Sequence, residues 1–105
     1  MKLYFEELGC GDFNACEFTP ESWGLSNDDW YICFDAYNIE EWMINDEEKR
    51  AYENGYDYWC DIWLHFDPLD GGEMQDIALL AKFPALNLED AERLLQIAAN
   101  ALYEE

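Results

Sequence analysis

Four cysteines and a single histidine are the residues of this 105-residue chain best suited to metal or redox chemistry, at Cys10, Cys16, Cys33, Cys60 and His65. No two cysteines form a Cys-x-x-Cys pair, so a zinc site of Cys10, Cys16, Cys60 and His65 would lack the usual ligand spacing. Reduced, buried thiols acting as small hydrophobes are the simpler expectation. Stable disulfides are not expected in a cytoplasmic chain. Asp67, Asp70 and Glu73 around Gly71 and Gly72 invite a calcium reading. They lack the alternate-position acids and sixth-place glycine of an EF-hand loop, and a hairpin turn accounts for them. Ser22 and Ser26 stand far from His65 in sequence and in no nucleophile motif. Carboxylates are so numerous that no one pair points to acid–base work. No glycine-rich phosphate loop is present. Neither an enzyme nor a bound cofactor or metal is expected.

The charge balance is the strongest signal. Twenty-five Asp and Glu face five Lys and Arg, a net charge of −20. Direct binding to nucleic acid or to anionic lipid would need a basic face, so both are excluded. Half of the residues are apolar and 17% are aromatic, which is enough to bury a core and argues against disorder. The acids recur from Glu6 to Glu105 among aromatic residues, so they belong to a folded surface rather than to a tail. No apolar run is long enough to span a membrane and no signal peptide is apparent. A soluble, cytoplasmic protein is expected.

The elements that must carry these residues follow from periodicity. Residues 2–8 read as a first strand ended near Gly9 and Gly11, and residues 12–18 as its return. Thr19 and Pro20 open a short helical turn that stops at Gly24. Residues 30–37 alternate as a strand, after which Asn38 would cap a helix over 39–53, with Gly55 just past its end. Residues 56–67 alternate most clearly. Tyr56, Tyr58, Cys60, Ile62, Leu64 and Phe66 share one face, and Asp57, Trp59, Asp61, Trp63, His65 and Asp67 the other. A turn over 68–72 and a hairpin partner over 76–83 follow. Asn87 caps a last helix whose Leu88, Ala91, Leu94, Leu95, Ala98, Ala101 and Leu102 repeat at helical spacing. The expectation is one compact α+β domain over 1–105. It has a mostly antiparallel sheet of four to five strands and two main helices packed on one face, the C-terminal one among them.

Two acidic groups then stand out as partner-binding candidates. One is the run Glu40, Glu41, Asp46, Glu47, Glu48 and Glu53, joined by Asp28 and Asp29. The other is the stripe Asp57, Trp59, Asp61, Trp63 and Asp67, alternating carboxylate with indole, which suits an Arg-rich partner unless a helix or a second subunit covers it. A compact chain of this length is roughly 33 Å across, a span of duplex that carries roughly 20 phosphates. In size, composition and lack of catalytic motif the chain resembles, as a class, the small acidic anti-restriction and anti-CRISPR proteins of phages and mobile elements. That likeness implies a nucleic-acid mimic occupying a basic, nucleic-acid-binding surface of another protein, such as a defence nuclease or its DNA-recognition subunit. An immunity protein or antitoxin against a basic toxin, and a metal-binding module, are the alternatives. A homodimer is left open.

Overall fold

The computed structural model describes residues 1–9, 11–26, 28–42, 45–68 and 71–104. Five strands, β1 (Glu6–Gly9), β2 (Asp12–Phe18), β3 (Trp30–Asn38), β4 (Tyr58–Phe66) and β5 (Gln75–Ala85), form one antiparallel sheet in the order of the sequence. Three α-helices accompany them: α1 (Ile39–Trp42), α2 (Asp46–Glu53) and α3 (Leu88–Leu102). A 3-10 turn spans Glu21–Trp23 and ends at Gly24, whose φ of 70° is the left-handed conformation that favours glycine. The α+β architecture and the C-terminal helix on the sheet agree with the sequence reading.

Alternation decides the faces. Ile32, Phe34 and Ala36 on β3 and Cys60 and Ile62 on β4 are buried against Ala91, Leu95 and Ala99 of α3 in a single apolar cluster. The face anticipated for Cys60 and Ile62 is thus the core face. Asn87 caps α3 by accepting from Asp90 N at 2.8 Å. Ala101, expected inside, is exposed, and Ala99 takes the inward position instead.

Three expectations are corrected. The first strand begins at Glu6, because the preceding segment docks on α3: Leu3 is buried in the core and its N–H donates to Gln96 Oε1 at 2.7 Å. The helix over 39–53 is two helices, and Asn38 ends β3 rather than capping. Asn45 caps α2, accepting from Glu48 N at 3.0 Å, with an Asn at N-cap and a Glu three residues on. The helices also do not share one face. α2 sits opposite α3, tied to Tyr37 of β3 and Lys82 of β5, whose side chains point away from the core.

Candidate interaction surface

The sheet face opposite α3 carries most of the predicted stripe. Cross-strand register sets its rows: Tyr37 opposite Trp59, Asp35 opposite Asp61, Cys33 opposite Trp63, and Tyr31 opposite His65. β2 adds Asn14 beside Asp35 and Cys16 beside Cys33, and β5 adds Lys82 beside Asp61 and Asp76 beside His65. Four strands therefore build one polar row, Asn14, Asp35, Asp61 and Lys82, across the middle of the face.

At one end of this face α2 is pinned down. Glu48, expected on a displayed acidic surface, is 2% exposed. Its Oε1 accepts from the Tyr37 hydroxyl at 2.5 Å and from Asn45 Nδ2 at 3.3 Å. The neighbouring Glu47 pairs with Lys82 Nζ at 2.7 Å. Trp59 lies between these two ties and is buried, its indole N–H donating to Asp61 Oδ1 at 3.0 Å. Trp59 is thus unavailable as a surface anchor. Trp63 is half-buried and keeps part of its surface.

The remaining predicted acids separate into two groups. Asp28, Asp29 and Asp67 gather where β3 begins and β4 ends, Asp67 N donating to Asp29 O at 2.7 Å. Glu40, Glu41, Asp46, Glu47, Glu53 and Asp57 gather at the opposite end, where Ile39 N donates to Asp57 O at 2.9 Å. The nine residues of β3 put these ends about 26 Å apart. Further acids, Glu89, Asp90 and Glu92, lie on α3 beyond the other face, so negative charge is not confined to one side. Among the described residues, Lys82–Glu47 and Arg93–Asp90 are the ion pairs made by lysine or arginine. His65 Nδ1 stands 2.7 Å from Asp76 Oδ1 without hydrogen-bond alignment. Most carboxylates thus have no cation to neutralise them. Screening should raise the thermal midpoint as salt increases from roughly 0.01 to 0.15 M, over which the Debye length falls from about 30 to about 8 Å. A midpoint that falls over this range would contradict a fold limited by self-repulsion.

Asp35 and Asp61 escaped the sequence reading as a pair, because only strand register makes them opposite. Burial raises the carboxyl of each above the ordinary range, opposed by Asn14 at Asp35 and by the Trp59 indole at Asp61. A raised folded pKa contributes stability that is fully present below the unfolded value and is lost as pH rises through the folded one. Acidification from neutral pH should therefore stabilise the protein. Asp61→Asn keeps an acceptor for Trp59 while removing the charge. It should raise the midpoint at neutral pH and flatten the gain seen on acidification towards the ordinary carboxylate range, as read by thermal melts. An unchanged or lower midpoint at neutral pH would show that the charge is not a burden.

The cysteines depart from expectation. Cys16 and Cys33, directly opposite on β2 and β3, form a disulfide with Cα atoms 4.2 Å apart. This is the close, non-hydrogen-bonded type of antiparallel pair. Cys60 is free and buried, as anticipated, with burial pushing its thiol up to about 12. It points into the core whereas His65 points to the other face, so the four-ligand zinc combination is not assembled. Cys10 and Asp70 lie outside the described residues. Among the described residues, no cluster of His, Cys, Asp and Glu could hold a metal ion, and no helix is long and apolar enough to cross a membrane.

Comparison with protein-family models, with curated proteins and with solved structures finds no match to this chain.

Proposed function

We propose that this protein is an acidic inhibitor that occupies a basic, nucleic-acid-binding surface of another protein, with its carboxylates standing where phosphates would stand. The observation that carries this reading is a net charge of −20 on a folded body in which few acids are matched by a cation. The dimensions are compatible. The longest axis is 41 Å, a length of duplex bearing about 24 phosphates. The two acidic groups at the ends of β3 and β4, with the half-buried Trp63 on the strand between them, offer charge for Arg and Lys and part of an aromatic surface for a guanidinium. The target class is a defence nuclease or its DNA-recognition subunit, as for anti-restriction and anti-CRISPR proteins. Such a complex would form by steered association and weaken steeply with salt.

The test is capture of basic proteins from native host lysate at low salt, followed by competition with purified partner. Duplex DNA should displace the protein, and the protein should displace DNA, at the same site. Glu40→Lys, Glu41→Lys and Asp46→Lys together should slow association by about tenfold or more with a smaller change in dissociation. Glu47 and Glu48 are left intact because they hold α2. A partner that binds protein and DNA simultaneously would overturn mimicry and favour an immunity-type complex outside the substrate site.

A further inference from the structure

In the sheet formed by the described residues, the outer edge of β5 has no neighbour. Such an edge presents unpaired backbone donors and acceptors, and natural proteins usually guard it with charge. Here Ile77, Leu79 and Leu80 are 46%, 41% and 38% exposed, adjacent along one strand. Against β4 the register shifts twice, leaving Leu80 and Ile77 as the additional residues of β5. These bulges keep any ladder with a further strand short, so a contact on this edge would rest chiefly on side chains.

Charge indicates what fits there. Residues 74–88 hold one acid, Asp76, and one base, Lys82, so the whole net charge of −20 lies outside them. Two such bodies can meet with least repulsion through the stretch that is neutral. The order Asp76, Ile77, Ala78, Leu79, Leu80, Ala81, Lys82 is also self-complementary when two copies run antiparallel about Leu79. Counted in ladder steps against β4, Asp76 and Lys82 each lie two steps from Leu79, so Leu79 then meets its own mate and Asp76 of each copy meets Lys82 of the other. Both charged side chains keep surface for this, at 65% and 49% exposure, beside their contacts to His65 and Glu47. We propose that the β5 edge is a two-fold self-association surface on which a second copy of this chain packs antiparallel about Leu79. An isologous contact of this kind closes on itself and stops at the dimer. It does not depend on the reading of the acidic surface.

The test is sedimentation velocity over a concentration series at about 0.15 M salt. The mass should move from the 12.4 kDa of one chain towards twice that value, and added salt should favour the larger species. Asp76→Lys and Lys82→Asp, the latter also removing the Lys82 tie to Glu47, should each keep the parent's circular dichroism spectrum and be monomeric alone, since each places like charges opposite one another. Mixed, the two variants should restore the dimer, because each then supplies the charge that the other lacks. That mixture also shows that both variants are folded. Leu79→Arg should remain monomeric with an unchanged circular dichroism spectrum; should it lose the fold, the mixture still decides. A parent chain that stays monomeric to millimolar concentration, single variants that dimerise as the parent does, or a mixture of variants with the parent's circular dichroism spectrum that does not associate would each overturn the proposal.

Discussion

Phe34→Ala is expected to lower the unfolding free energy by about 3–5 kcal/mol, among the largest losses from a single truncation. Phe34 is the bulkiest of the fully buried side chains. It sits on the central strand, with Ala15 and Ile62 on the flanking strands and α3 above. Neighbours on three sides are fixed by ladder and helix, so the vacated space cannot easily collapse. A domain of this size has only about 5–15 kcal/mol to lose, and here like-charge repulsion already draws on it. The midpoint should fall by about 15 °C or more, as read by calorimetry. Below that midpoint, binding to the partner proposed above should be retained because no surface group has changed. A loss below about 1 kcal/mol would mean that the sheet and α3 are not packed as described.

The second large effect is removal of the Cys16–Cys33 bridge. The two residues are 17 apart in sequence, and cross-linking a loop of about that length stabilises by about 3 kcal/mol through restriction of the unfolded chain. The paired variant Cys16→Ser, Cys33→Ala respects the exposed position of the first and the buried position of the second. Its midpoint should fall by about 12 °C. A strong reductant should move the parent by the same amount and leave the variant unmoved. If the parent is insensitive to reductant and its Cys16 is open to alkylation without it, the bridge is not formed.

Which features could be read in advance depended on how local their cause was. The strand β4 and the helix α3 were legible because twelve alternating residues and a capped 3.6-residue repeat contain their own explanation. The bridge was not, since Cys16 and Cys33 meet only through a register that pairs Phe13 with Ala36 and Phe18 with Tyr31, and thiol spacing says nothing of register. Glu48 was misplaced for a similar reason. It looks like one more member of an acidic run, yet a phenol eleven residues earlier and the Asn45 cap draw it inward. The Asn45 to Glu48 spacing was a signal available in the sequence, overshadowed by Asn38. Of the partner-binding candidates, the exposed acids at both ends of the sheet kept their accessibility, while Trp59 and Glu48 became part of the structure that holds α2.

The sheet follows the chain without a crossover, each strand lying beside its sequence neighbours. For a polymer this rich in like charge, that ordering has a kinetic consequence. Hairpins can close one after another between strands that are neighbours in sequence, at an entropic cost that grows only slowly with the length of the connection, before remote acidic segments are forced together. The distant contacts, Leu3 with Gln96 and the Tyr103 hydroxyl with the Phe18 carbonyl, join the first segment to α3 and the residue after α3 to β2. Docking of these segments adds Glu6, Glu7, Glu89 and Glu92 to an already acidic body, so its rate should rise with ionic strength.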